Sequence, residues 1–324
     1  MVFRFIPQRE HSGQRIDQYI PSVDDSFSRS KVRKIIDLGG VHVGGRRLRK
    51  CSHPVREGER IEVYVDGRSL EIFTLSPEHI LFQDSYIAVV NKPPGVETQP
   101  TPARYKGTLY EALLRHLADP FRPQDVPEMG MVQRLDRDTS GILVFSTHAK
   151  AHKNLTLSFS SHQIEKRYLA LVSGHPDKEQ GEIHSLLARR RSDNLMKSVE
   201  RGGKEALTRY RVLRTFAECA LLEVEIPTGR SHQIRVHMKE AGHPLLGDTR
   251  YGGPDHVGSL HVPRQMLHAW KIVFAHPVHG KIQEWEAPVP FDMDGLFKNL
   301  PGPGSNVLPG GEGSSLLCSK KIPS

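Results

Sequence analysis

Cysteine is scarce in this chain of 324 residues: Cys51, Cys219 and Cys318 lie far apart and form no C-x-x-C pair. That spacing argues against a disulfide framework and against a zinc knuckle. Long hydrophobic runs are missing as well. No window approaches the roughly 18–20 uninterrupted apolar residues that a membrane helix needs. The opening segment MVFRFIPQREHSGQR has no apolar stretch followed by a small-residue cleavage site, which points away from secretion. A P-loop and a G-x-G-x-x-G fingerprint are also absent, so nothing suggests nucleotide or dinucleotide chemistry. A soluble, cytoplasmic protein is expected.

What is there begins with charge. The chain carries 45 Lys and Arg against 37 Asp and Glu, a net +8, with 25% charged and 37% hydrophobic residues. Its length suggests two or three domains. Acids are nearly missing from Arg29 to Lys50, where eight basic residues (Arg29, Lys31, Arg33, Lys34, Arg46, Arg47, Arg49, Lys50) meet one acid, Asp37, for a net +7 in 22 residues. Val32, Ile35 and Ile36 follow helical spacing, and Gly39 stands where a C-cap glycine would. Val41 and Val43 then alternate before a Gly44-Gly45 turn, and the chain resumes through Val55 to IEVYV (61–65). A basic helix thus leads into a small β-unit with a basic turn. The plain alternative is a solvated charged face. Like charges on one compact module repel unless they meet an anion, so phosphate-backbone binding is expected.

Arg15-Ile16-Asp17, Ser28-Arg29-Ser30, Ile36, Gly39, Val41-His42-Val43 and Val55 through Gly58 to Ile61 resemble an S4 RNA-binding domain over residues 13–66. The resemblance implies that the helix–turn face touches structured RNA, through Arg29, Lys31, Arg33, Lys34, Arg46 and Arg47. Gly44-Gly45 replaces the Asn-Gly usual in that turn.

Residues 67–79 are short and mixed and read as a linker. Ile80–Phe82 and Tyr86–Val90 read as buried strands, closed by NKPPG (91–95). Thr108 and Glu111 form a T-x-x-E capping box ahead of an apolar helical stripe on which His116 sits as core or rim. Strands are expected at 142–145, 167–173, 207–215 and 219–226, and in a hairpin of 270–274 with 282–287. Helices are expected at 149–161 and from near Ser231 to Gly242. The mixed order indicates one α+β domain over 80–292. The tail, 301–324, holds five Gly, four Pro and five Ser, and is expected to be disordered, with Cys318 an exposed thiol.

Two polar segments could carry chemistry. In Met131–Gly141, Asp138-Thr139-Ser140-Gly141 is what a turn into a strand wants, with side-chain oxygens capping free amides. Asp136, flanked by Arg134 and Arg137, is open to catalysis or to a structural salt bridge. In Thr228–His237, the histidines at 232 and 237 lack a Cys, Asp or Glu to complete a metal set. Arg230, His232, Gln233, Arg235 and His237 at a helix start suggest instead an anion- or base-binding wall, with Ser231 a possible N-cap.

RLDRDTSG (134–141), KRYLALVSG (166–174), TGRSHQIRVHMKEAGHPLLGD (228–248) and LHAWKIVFAHPVHGK (267–281) together resemble the RluA-type pseudouridine synthases, in the same order and spacing. With the S4 module the resemblance covers 13–290. It implies a small S4-like domain followed by a larger mixed, mainly antiparallel β-sheet catalytic domain. It also implies roles: Asp136 attacks or deprotonates the target nucleoside, and Arg134 helps displace the base from its stack. Tyr168 stacks on the uracil, Arg235 pairs with the aspartate, and Ile234 packs beneath the site. One departure is Gln133, where the family usually has His.

Isomerisation breaks the N1–C1′ bond, turns the uracil and rejoins it through C5. A carboxylate suits a transient adduct or proton abstraction from the sugar. Extraction of the uridine costs a few kcal/mol, offset in part by stacking on an aromatic. No cofactor and no metal is implied. The expected partner is structured RNA, large-subunit rRNA first and tRNA second, with no membrane, no obligate protein partner and a monomeric state. The rivals are a catalytically silent RNA-binding or assembly factor, which Gln133 favours, and a carbohydrate hydrolase built on Asp136 and Asp138, which the basic module contradicts.

Overall fold

The computed structural model describes residues 1–122 and 124–302. The tail expected at 301–324 and Cys318 therefore lie outside the described residues, apart from the first two positions of that tail. The chain forms two compact units. One takes Met1–Asp138, Leu143–Phe159 and Pro277–Gly280; the other takes Thr139–Ile142, Ser160–His276 and the chain from Lys281 on.

In the first unit, β1 (Val2–Phe5), β2 (Val41–Val43), β3 (Arg46–Arg47) and β4 (Ile61–Tyr64) make an antiparallel sheet in the order β1-β4-β2-β3. Helices α1 (Ile16–Val23) and α2 (Arg29–Leu38) pack with it around Ile16, Ile20, Phe27, Val32, Ile36 and Ile61. Helix α2 forms because its apolar residues fall on one face between two caps. Ser28 Oγ accepts from Lys31 N at 3.2 Å, and Gly39 takes φ +88 at the C-cap. The β2–β3 turn places Gly44 and Gly45 at φ +56 and +77, a pair of positive angles that glycine adopts without steric cost.

The same unit continues with β5 (Ile80–Gln83), β6 (Ile87–Lys92), α3 (Leu109–Leu117), β7 (Gly130–Met131), β8 (Ser140–Ser146) from Leu143 on, and α4 (Ala149–Ser160) as far as Phe159. Ala88, Val90, Leu109, Leu113, Leu143 and Phe145 share a core there. The capping box is displaced by one residue: Thr108 Oγ1 accepts from Glu111 N, whereas the Glu111 carboxylate accepts from Gly107 N at 3.0 Å. The 67–79 stretch, expected as a linker, lies inside this unit. The buried Arg104 side chain pairs with Asp66 at 3.1 Å and donates to Ser69 O at 2.9 Å, which pins the start of that stretch.

The second unit is built on β9 (Glu165–Ser173), β10 (Gln180–Arg189), β11 (Met196–Val199), β12 (Lys204–Thr215), β13 (Cys219–Glu225), a small β14–β15 ribbon (His256–Val257, Leu260–His261), β16 (Leu267–Ala275) and β17 (Ile282–Glu286), with α5 (Gln233–Glu240) and α6 (Phe291–Asn299). Its strands run β11-β10-β12-β13-β9-β16-β17, all antiparallel, while Ser140 and Gly141 of β8 lie parallel to His268 and Ala269. The fold is α+β with mixed, mainly antiparallel pairing, as the sequence led us to expect. Strands β10 and β11 and helix α6 have no counterpart in the sequence reading. Strand β10 alternates only exposed with half-buried positions along most of its length, so it lacks the apolar alternation that marks a strand. Cys219 is buried in this unit, and burial pushes its thiol up to about 12. Among the described residues no helix is long and apolar enough to cross a membrane.

Candidate active site and RNA-facing residues

Asp136 lies on the loop between β7 and β8, half-buried, with Arg134 exposed beside it. Both of its chain neighbours are held by their backbones. Thr98 Oγ1 donates to Leu135 O at 2.7 Å and accepts from Leu135 N at 3.3 Å. On the other side, Arg137 O accepts from Lys92 Nζ at 2.6 Å and from Gly95 N at 3.1 Å. Lys92 is fully buried, and its ammonium also donates to Pro93 O and Val96 O, both at 2.9 Å. A buried ammonium is costly unless its protons are satisfied, and these three carbonyls accept its hydrogen bonds. In the sequence NKPPG reads only as a strand terminator; the signal it carried was a lysine between an apolar strand and two prolines.

Next along the chain, the Arg137 guanidinium pairs with Asp138. Thr139 and Ser140 are buried, and Ser140 Oγ lies 2.9 Å from His268 Nδ1. The capping expected for the Asp138–Gly141 oxygens is thus replaced at Ser140 by a bond to an imidazole 128 residues away. His268 Nε2 faces Ala287 O at 3.4 Å, and a carbonyl only accepts; the neutral ring therefore accepts the Ser140 hydroxyl proton at Nδ1. Burial pushes the His268 pKa down to about 4, which keeps the ring neutral. Gly141 takes φ +110, and a Cβ there would sit 2.1 Å from Ala269 O. Only glycine permits this approach of the two strands.

In the second unit Tyr168 is 8% exposed on β9, opposite Val224 and Ala269. Lys166, two residues earlier on the same sheet face, is 9% exposed. Ile234 and Arg235 are both buried on α5. The Arg235 guanidinium grips Asp248 at 2.6 and 2.7 Å and lies over the Tyr251 ring, 4.9 Å from its centre. Gln233 and His237, on either side of Arg235, are bound to scaffold. Gln233 Oε1 accepts from Arg230 N at 3.0 Å and Thr228 Oγ1 at 2.9 Å, while its Nε2 donates to Leu207 O at 2.8 Å. His237 Nδ1 lies 2.8 Å from Thr208 Oγ1, and its Nε2 lies 2.9 Å from Ser185 Oγ. The binding wall suggested by their spacing is, for Gln233 and His237, the seat of α5. The N-cap position belongs to His232 (φ +53), with Ser231 just before the helix.

The basic residues of the first unit divide by orientation. Asp17, fully buried, gathers three arginines: Arg15 at 2.9 Å, Arg29 at 3.2 Å and Arg33 at 3.9 Å, each of them about half exposed. The hydrogen bond from Arg15, then that from Arg29, holds the Asp17 carboxyl below the usual range against the opposing effect of burial. Lys31 Nζ donates to Ser26 O and stands 5.1 Å above the Phe27 ring. Lys34 faces Glu71 at 3.5 Å beside an open groove of about 420 Å³ between α2 and Leu70–Ile72. Arg46 is exposed. Arg47 is turned inward: it donates to Gly39 O and to Thr101 O (2.7 Å) and lies over the Tyr105 ring. Gln133 Nε2 is buried with no hydrogen-bond partner among the described residues.

Comparison with known proteins bears on this arrangement. Residues 86–240 match the RNA pseudouridylate synthase family model and residues 14–61 the S4 domain model. An uncharacterized RNA pseudouridine synthase of Aquifex aeolicus is 39% identical over 300 residues, covering 90% of this chain and 95% of that protein. The ribosomal large subunit pseudouridine synthase D of Nitrosomonas europaea is 36% identical over 304 residues, covering 90% and 86%. The structure of human RNA pseudouridylate synthase domain containing 4 superposes with a TM-score of 0.56 at 24% identity, over 67% of this chain and 91% of that one, a likeness of fold.

Proposed function

This chain belongs to the RNA pseudouridine synthase family, and from that premise we propose that its substrate is uridine in the 23S rRNA of the large ribosomal subunit. Support comes from relatives such as the Nitrosomonas europaea protein, whose name specifies the large subunit. We place the protein in the cytoplasm, as a monomer with RNA as its partner. The S4 module over 13–66 carries the RNA, and the stretch 80–292 carries the chemistry.

Asp136 is the catalytic group. Its carboxylate attacks C1′ or takes a sugar proton as the N1–C1′ bond breaks, the bonding pair leaving with uracil. The ring turns, C5 bonds to C1′ as the carboxylate leaves C1′ or the sugar proton is returned, and the proton lost from C5 is matched by one gained at N1, so the reaction needs no co-reactant. Arg134 displaces the base, Tyr168 stacks on it, Ile234 packs beneath it, and Arg235 orients the carboxylate. Arg29, Lys31, Arg33, Lys34 and Arg46 contact RNA phosphates. Arg47, turned inward, supports the module from within. The observation that carries this reading is the double backbone clamp around Asp136, because a loop held on both sides presents one carboxylate in one place.

The test is tritium release from 23S rRNA and tRNA transcripts labelled at uracil C5. Wild type should release tritium from the 23S transcript and Asp136→Asn should not. Release from tRNA alone would move the substrate to tRNA, and equal release by Asp136→Asn would remove Asp136 from the chemistry.

A further inference from the structure

Residues 98–107 bond to two parts of the first unit at once. At the start of the segment Thr98 holds the backbone of Leu135, the residue before Asp136, and Tyr110 N donates to Thr98 O at 3.1 Å, which ties the segment to the first turn of α3. Three positions on, Thr101 and Arg104 close a tight turn through reciprocal backbone bonds of 2.8 and 3.1 Å. That turn and the residues after it sit on the S4 module. Tyr105 N and Lys106 N donate to Leu38 O, at the end of α2, at 2.7 and 3.2 Å. Arg47 reaches from β3 to Thr101 O, and the buried Arg104 pairs with Asp66 just past β4. A Cβ on Gly40 would lie 2.7 Å from Ala103 O, so the two backbones meet directly there.

The module is therefore joined to the Asp136 loop by a bonded segment as well as by the 67–79 stretch of chain. A module on a free tether raises the local concentration of RNA without choosing among the uridines within reach. A module at a fixed distance lets both grips be satisfied by one spacing only, and every other spacing is rejected. We propose that residues 98–107 act as a strut that sets the distance between the outward arginines of α2 and Asp136, and so determine which uridine is modified: one a fixed span from the structured RNA element that α2 holds. The inference rests on the reading of the chain as a 23S rRNA uridine isomerase with Asp136 as its catalytic group.

Two measurements test this. In the first, a specific protease sequence is inserted after the exposed Gly67 of the full chain and cut. The 1–67 fragment should co-elute with the remainder on gel filtration, because the 98–107 segment still grips it. Separation of the fragments would overturn the proposal by showing a module held by its tether alone. In the second, uncut Arg47→Met and Arg104→Met, which leave Asp136, its clamps and the outward arginines of α2 in place, are compared with wild type by pseudouridine mapping along the 23S rRNA transcript and by RNA affinity. Affinity should stay within about twofold, while the ratio of modification at the wild-type uridine to that at its neighbours should fall about 10-fold. An unchanged ratio, or an equal loss at every uridine, would overturn the proposal in favour of a structural role. Tritium release by wild type and its absence in Asp136→Asn are read alongside, so failure of the isomerase reading itself is seen separately.

Discussion

Asp17 in the first unit and Asp248 in the second each meet arginine, in opposite surroundings. Asp17 is buried, but Arg15, Arg29 and Arg33 around it stay about half exposed, so one carboxylate fixes the bases of three cations whose faces remain in water. Asp248 and Arg235 are both sealed, at 1% and 5% side-chain exposure, so the carboxylate holds the guanidinium away from water. The first arrangement leaves a net positive surface ready for a polyanion and sensitive to salt. The second fixes the position of a helix. The same pair of residue types therefore recruits in one unit and positions in the other, and solvent decides which.

The largest expected effect would come from breaking the sealed pair. Asp248→Asn leaves the buried guanidinium without its carboxylate and should cost about 3–5 kcal/mol in urea unfolding. A loss below about 1 kcal/mol would place Arg235 among the solvated arginines and erase the contrast. Next comes His268, a second sealed group of the same unit. Its folded pKa of about 4 lies below the unfolded value of about 6.5, so the unfolded chain binds the proton first. Its contribution is complete above pH 6.5 and is lost as pH falls toward 4, by roughly 3 kcal/mol. Stability measured from pH 7 to 4.5 should fall in wild type and flatten in His268→Gln; parallel curves would show that the ring carries no linkage.

The smallest effects should lie on the exposed side. Arg29→Met with Arg33→Met should weaken RNA binding and lower the slope of log affinity against log salt by about 1 for each phosphate no longer neutralised. Arg47→Met should instead lower the melting temperature and leave that slope unchanged, since its guanidinium is committed to Gly39 O and Thr101 O. An equal slope change in both would show that inward and outward arginines serve RNA alike.

Local features were legible in the sequence because their causes are local. The periodicity of Val32, Ile35 and Ile36, the Gly39 and Thr108 caps and the Gly44-Gly45 turn each involve residues within a few positions. The site was legible only as far as its motifs ran. Asp136 stood out, but its clamps come from Thr98 and Lys92, 37 and 45 residues from the backbone atoms they hold. Gln233 and His237 resemble a wall because spacing reveals a helix face and not what that face meets. Strands β10 and β11 escape a reading of the sequence because a half-exposed strand needs little apolar alternation.

By itself the sequence determined the residue types available: where positive charge is dense, which carboxylates sit in RLDRDTSG, and which glycines must turn. It also determined the α+β class, since hydrophobic period sets helix against strand. Only the tertiary structure decided which charges are spent on one another and which face water: Arg47 inward and Arg46 outward, Arg235 on Asp248, Lys92 on three carbonyls. The reason is that burial depends on atoms brought together from distant parts of the chain, and burial sets whether a charge is an anchor or a binding surface.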